Sequence, residues 1–450
     1  MSIKISRGLT SPLKNKIIQQ ALDRRLRSIA PDGARTTVQP ASSAPQDEIP
    51  ERFYRFHLHP GYQQIRMMND MAAAQGVSNP FFKLHEGIAG ATTMIGGKPY
   101  INFSSYNYVG LSGDPEVATA AKVAIDQYGT SVSASRPVSG ERPIHRQLEE
   151  AIAQVYDADD AIVFVSGHAT NVTSIGYLFG KNDLIVHDAF IHNSAMQGIQ
   201  LSGAKRLSFP HNDWQALDEI LTAQRRHFER VLIVIEGIYS MDGDYPDLPH
   251  FIKIKHKHHA LLMVDEAHSL GVMGKNGMGI HEHFGVAGRD VDIWMGTLSK
   301  SLAGCGGYIA GETALIENLK FLAPGFLYSV GMPPPVAAAS LAALQILKRE
   351  PQRVATLVER GQQFLTSAKA AGINTGTSSG LAVVPAILGS SLKAARVSNG
   401  LFARGFNVQP ILYPAVPENS ARLRFFISSD HTPSQIAQTI SALVDEIARA

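Results

Sequence analysis

A lysine set among small hydroxyl residues, Gly296-Thr297-Leu298-Ser299-Lys300-Ser301, closes the apolar run at 291–295. Upstream, Leu261-Leu262-Met263-Val264-Asp265-Glu266-Ala267-His268 puts a carboxylate and an imidazole three positions apart at the end of a second apolar run. An amine at 300 can take an aldehyde if it is neutral, and burial beside other cationic character makes it so. A carboxylate at 265 can pair with a protonated ring nitrogen, while hydroxyls and an imidazole can hold a phosphate and a phenolic oxygen. Pyridoxal 5'-phosphate (PLP) needs all of these from its protein. Either stretch alone is a weak signal; together, in this order, they point to a PLP enzyme.

Elements must bring these residues together. Short apolar runs at 161–165, 184–186, 231–235, 260–264 and 292–295 have the character of strands buried on both faces of a mainly parallel sheet. Helical periodicity lies between them, as at 214–225. The expected fold is α/β, a large doubly wound domain with its site at the carboxyl ends of the strands. Ser166, Gly167 and His168 follow one strand and open a helix, so backbone N–H groups there can hold a phosphate. After Pro333-Pro334-Pro335 an Ala- and Leu-rich helix at 337–348 leads into a smaller C-terminal α+β part. Strands are expected there near 383–387 and 423–427, with a final helix from Pro433. The resulting division is 1–50, 51–104, 105–332 (large domain) and 333–450 (small domain).

The composition fits an enzyme with a sizeable core: 450 residues, 44% apolar and 18% charged. A net charge of +2 gives no global drive toward nucleic acid or membrane. The single cysteine, Cys305, excludes an internal disulfide framework and suits a reducing compartment, so a cytoplasmic location is expected. No window approaches the roughly 18 apolar residues of a membrane span. Residues 1–28 carry seven Lys or Arg against Asp23, with Leu13, Ile17, Leu22, Leu26 and Ile29 at helical spacing. A basic amphipathic helix is expected there, followed by a Pro-rich linker to residue 50.

The motifs carry a resemblance. Asn107-Tyr108-Val109-Gly110-Leu111, Ser166-Gly167, Asp188-Ala189-Phe190-Ile191-His192-Asn193-Ser194, Glu236-Gly237-Ile238-Tyr239-Ser240-Met241-Asp242-Gly243-Asp244, Asp265–His268 and Thr297–Lys300 resemble the α-oxoamine synthase family in order and spacing. The likeness runs from about Val77 to the C-terminus. It implies a fold type I PLP enzyme that condenses an amino acid with an acyl thioester, with loss of CO2. Lys300 would hold the cofactor aldehyde and act as base, Asp265 would pair with the ring nitrogen, and His268 would bond the phenolic oxygen. His192 would stack on the ring. Thr297, Ser299 and Ser240 would add hydroxyls near the cofactor. The resemblance makes Asn107 and Arg424 candidates for the amino-acid carboxylate and places Arg136, in Arg136-Pro137-Val138-Ser139-Gly140, near the substrate entrance. Arg422 falls out of register and is expected to be structural. The family also implies a homodimer in which Ser329 offers its hydroxyl to the neighbouring subunit's phosphate site. Arg52-Phe53-Tyr54-Arg55-Phe56, with the linker before it, resembles the lead-in to such domains of polyketide assembly lines. That makes an acyl-carrier protein a candidate partner beside free acyl-CoA.

Serine-using members have an arginine just before a Pro-Pro where Leu412-Tyr413-Pro414 stands here, which favours glycine or alanine as co-substrate. Asp265-Glu266-Ala267-His268 spells a helicase box, but no GxxxxGK[ST] loop accompanies it. Gly376-Thr377-Ser378-Ser379-Gly380 matches GxSxG in the wrong helix-to-strand context. The His and Lys residues at 253–259 read as a solvated helix end, and His281-Glu282-His283 is no better as a metal site. Two other functions fit the same residues less well: an aminotransferase on this fold, and a silent partner subunit, which the Lys300, Asp265 and His268 set argues against.

Overall fold

The computed structural model describes residues 49–450. The basic helix and nearly all of the linker expected at 1–50 therefore lie outside the described residues. The chain divides after Met68. Residues 49–68 form two 3-10 turns, Glu51–Phe53 and Phe56–Leu58, and the start of the helix Pro60–Ala74. All strands among the described residues belong to the unit that starts at Asn69.

In chain order the first strands are β1 (Thr92–Ile95), β2 (Lys98–Asn102), β3 (Asp160–Phe164) and β4 (Leu184–Asp188). Then follow β5 (Lys205–Phe209), β6 (Val231–Glu236), β7 (Leu261–Asp265), β8 (Ile293–Thr297) and β9 (Gly307–Gly311). The last four are β10 (Val383–Ile387), β11 (Phe406–Asn407), β12 (Gln409–Ile411) and β13 (Arg422–Phe426). The central sheet has the order β3-β9-β8-β7-β6-β4-β5. Strands β5, β4, β6, β7 and β8 run parallel, and β9 is antiparallel to both β8 and β3.

Strands β4 and β6 are buried along their whole length, as expected where helices cover both faces. Alternate residues of β6 pack into different clusters: Val231, Ile233 and Ile235 on one side, Leu232 and Val234 on the other. The edge strand β5 is mostly exposed and reads Lys-Arg-Leu-Ser-Phe, which is why it carries no apolar signal in the sequence. Strand β9 is hidden for another reason. It begins and ends in glycine, where glycine-poor apolar runs are the usual mark of a strand.

Beyond the central sheet, β10, β13 and β12 form an antiparallel sheet, and β11 pairs in parallel with β2. Residues 92–102 and 406–407 thus share a sheet although they are far apart in sequence. The helix Pro334–Arg349 packs on the helices Pro115–Tyr128 and Pro143–Ala153.

Candidate active site

Three neighbouring strands deliver the chemistry. Glu236 ends β6, Asp265 ends β7 and Thr297 ends β8, and the pairing register sets Glu236 beside Asp265. Lys300 follows in the turn after β8. Parallel strands present their carboxyl ends on one edge, so groups distant in sequence meet there. The meeting place is a cavity of about 320 Å³.

Asp265 is buried and held from two sides. Its Oδ1 accepts from the Ala267 N–H at 2.9 Å and its Oδ2 from Asn171 Nδ2 at 2.9 Å. Asn171 Nδ2 also reaches Ser194 Oγ at 2.9 Å, and Ser194 Oγ lies 2.7 Å from His192 Nδ1. His192 is the N-cap of the helix Asn193–Ser202, so its Nδ1 accepts from the Ser194 N–H as well. A nitrogen that accepts twice has no proton of its own, which leaves the single proton of the neutral ring on Nε2. Desolvation lowers the His192 pKa, and Lys300 lowers it further, against the pull of Asp265.

Burial brings the Lys300 pKa down to about 7, with Arg424 adding to the depression and Asp265 and Glu236 opposing it. A large fraction of the amine is therefore neutral near neutrality. Its Nζ lies 5.5 Å from the Tyr106 ring centre. His268 is buried, bonds Tyr108 Oη through Nδ1 at 2.8 Å, and has its pKa held well below the usual range by burial and then by Lys300 and Arg424.

On the opposite wall Ser166 caps the helix Gly167–Leu178, its Oγ accepting from the Ala169 N–H at 3.4 Å. Thr297 Oγ donates to the Gly306 carbonyl at 2.8 Å, and Ser299 lies beside it. A Cβ at Gly167 would fall 2.8 Å from Thr297 Oγ1, so only glycine lets the helix start approach this closely. Helix N–H groups and three hydroxyls make a fitting phosphate cradle. His168 is exposed at its rim, with Nε2 3.0 Å from Gln197 Oε1. Ser240 and Arg424 close the far side, where Arg424 Nη1 donates to the Ser240 carbonyl at 3.1 Å.

Three expected site residues stand apart from this cavity. Arg136 is buried in ion pairs with Glu141 and Glu149, which together keep its guanidinium charged despite burial. Asn107 spends its amide on the Ala89 carbonyl and the Ser112 N–H, at 2.9 and 3.1 Å. Ser329 lies in the segment beside Tyr328 and Val330, and its Oγ donates to the Val330 carbonyl at 3.3 Å. Arg422 is buried against Asp242 and the Met241 carbonyl, the structural place its register implies.

Other cavity groups escape a sequence reading. Burial and then Asp265 push the Glu236 pKa well up, and its Oε1 has no hydrogen-bond partner among the described residues. Asn171 lies mid-helix, where nothing marks an asparagine as a link between a carboxylate and a histidine. The decoys resolve structurally: Ser378 Oγ donates to the Val383 carbonyl at 2.9 Å, His258 pairs with Asp218, and Lys255 with Asp292. Among the described residues no group of three or more His, Cys, Asp or Glu is arranged to hold a metal.

Known proteins resemble this chain in sequence and fold. The model of the aminotransferase class I and II family matches residues 98–443. The chain is 40% identical over 350 residues to 8-amino-7-oxononanoate synthase of Fervidobacterium nodosum, covering 77% of this chain and 88% of that one. Over the same length it is 38% identical to the enzyme of that name from Symbiobacterium thermophilum, covering 78% and 89%. The structure of Sphingomonas wittichii serine palmitoyltransferase superposes with a TM-score of 0.82 at 29% identity, over 86% of this chain and 98% of that one. The Francisella tularensis 8-amino-7-oxononanoate synthase structure gives 0.68 at 28%, over 78% and 98%.

The chain belongs to the aminotransferase class I and II family, with the fold type I architecture of PLP enzymes. Within it the chain is an α-oxoamine synthase, a PLP-dependent acyltransferase whose reaction class is decarboxylative condensation. No helix among the described residues is long and apolar enough to cross a membrane.

Proposed function

We propose that this enzyme joins glycine, alanine or serine to an acyl thioester, releasing CO2 and a free thiol and leaving an α-amino ketone. One observation carries the reading: Lys300 shares a cavity with a carboxylate anchored from two sides, a histidine and an arginine. The name 8-amino-7-oxononanoate, borne by the relatives' product, sets amine and ketone on adjacent carbons, the pattern this condensation makes.

When bound, the cofactor supplies an electron sink for charge developing at the amino acid's α-carbon. Asp265 holds a proton at the cofactor's ring nitrogen, because its carboxylate is fixed by Asn171 and the Ala267 N–H. The cradle of Ser166, Gly167, Thr297 and Ser299 binds the phosphate, with His168 at its rim. His268 offers a neutral imidazole to the phenolic oxygen. Lys300 Nζ takes the α-proton, a task suited to an amine poised near neutral pH. Arg424 receives the substrate carboxylate, for which its fork geometry is suited. His192, oriented by Ser194, presents Nε2–H to the substrate.

Leu412-Tyr413-Pro414 favours glycine or alanine over serine. A homodimer is supported by apolar side chains left open on one subunit, notably Phe321 at 73% and Tyr328 at 87% exposure beside Ser329. In that dimer Ser329 would serve the neighbour's phosphate site, and Arg136 would support the loop beside it. The acyl group arrives on CoA or on a carrier protein, the basic N-terminal segment favouring an acidic carrier.

A panel of amino acids offered with CoA-bound and carrier-bound acyl chains, read by mass spectrometry, tests this. Free thiol, CO2 and an amino ketone are expected. A keto acid with pyridoxamine phosphate would establish an aminotransferase instead, and the absence of any product would overturn both.

A further inference from the structure

Behind the cavity wall His211 stands between two carboxylates. Its Nδ1 is 2.9 Å from Asp188 Oδ1 and its Nε2 is 3.0 Å from Asp244 Oδ2. A neutral imidazole has one N–H and could satisfy only one of them. Burial alone would depress its pKa, but the two carboxylates outweigh this and raise it to about 10. Phe190 stacks on the ring at 4.4 Å, Tyr239 meets it edge-on at 4.4 Å, and Asn212 Nδ2 approaches at 3.4 Å. None of these neighbours is a second cation.

The two carboxylates hold the two loops that face substrate. Asp188 ends β4, accepts from the Phe190 and Asn212 N–H groups at 2.8 and 2.7 Å, and begins the loop that ends at His192. Asp244 closes the turn that carries Ser240 and Met241. Gly243 in that turn has φ +72°, and a Cβ there would fall 2.0 Å from the Val383 carbonyl, so the turn is pressed onto β10. Thr377 Oγ1 donates to Asp244 Oδ2 at 2.6 Å, which gives the GxSxG-like segment a place in the same assembly. On this turn rest both arginines of β13: Arg424 Nη1 on the Ser240 carbonyl at 3.1 Å, and Arg422 Nη1 on the Met241 carbonyl at 3.2 Å.

We propose that His211 is a positioning residue for amino-acid recognition, its imidazolium tying the β4 loop to the 240–244 turn and so fixing His192 and Arg424 across the cavity from each other. The inference rests on the reading of Arg424 as the carboxylate-binding residue.

The test uses holoenzyme and follows amino-acid binding by the cofactor's absorbance, with KM values for both substrates alongside. His211→Gln is expected to weaken amino-acid binding roughly tenfold, the scale of a lost charged hydrogen bond, while leaving the thioester KM within about twofold. Thr377→Val should weaken it about threefold, and Thr377→Ser should restore it. A merely structural role would lower stability and weaken the binding of both substrates alike, without that split or rescue. Amino-acid binding within twofold of wild type in folded His211→Gln overturns the proposal; if that variant does not fold, an unchanged Thr377→Val does so. A wild-type enzyme whose absorbance ignores every amino acid sinks the functional reading itself, and this inference with it.

Discussion

Histidines on the two sides of the 236–244 segment meet opposite surroundings. Toward the cavity, His268 and His192 have lowered proton affinity: desolvation acts first, and Lys300 and Arg424 add their positive charge. Behind it, His211 is also desolvated, yet two aspartates bonded to its ring raise its pKa to about 10. One residue type therefore serves as a neutral hydrogen-bonding group on one side and as a fixed cation on the other. Burial acts in the same direction in both places; the charged neighbours decide which way the group goes.

The cavity side breaks most completely at its lysine. Lys300→Ala should cut condensation by at least about 10^4-fold, because base and aldehyde-holding amine are lost together, and borohydride should then leave no pyridoxyl adduct at position 300. Thiol release close to wild type would end the assignment.

The clamp side breaks through pH. His211 has its pKa raised from 6.5 to about 10, so its contribution to stability is complete below pH 6.5 and lost as pH climbs through 10. Urea midpoints of the wild type should fall across that window, and those of His211→Gln should fall less. Parallel curves would show that His211 is not the cation inferred.

Lys300 offers a gentler test with the sign reversed. Its amine is neutral above about pH 7, so the rate at which apoenzyme captures the cofactor should rise with pH and reach half its plateau near 7. A half-rise near 10 would mean an ordinary exposed lysine. The smallest effect belongs to Ser378→Ala, which should leave turnover within about twofold and cost about 1 kcal/mol of stability by removing the bond to the Val383 carbonyl.

The strands at 231–236, 261–265 and 293–297 were legible because strands buried on both faces must be apolar throughout, which leaves an unbroken run in the chain. Lys300, Asp265 and His268 are legible as a set because each sits at or just beyond the end of such a run. Strands β5 and β9 were not, being polar at an edge and glycine-bounded. Glu236 has no role that its own motif reveals, since its neighbour across the sheet, Asp265, is visible only through the register. Arg136 shows the converse: its motif is local, but Glu141 and, thirteen positions on, Glu149 together occupy its guanidinium within this subunit.

By itself the sequence determined the parallel core and set a lysine, a carboxylate and a histidine at the ends of its apolar runs, because each is written in local runs and turns a few residues long. Tertiary structure alone decided the charge states. Proton affinity depends on burial and on groups within a few ångströms, and Asp188, His211 and Asp244 become neighbours only when β4, β5 and β6 are laid side by side.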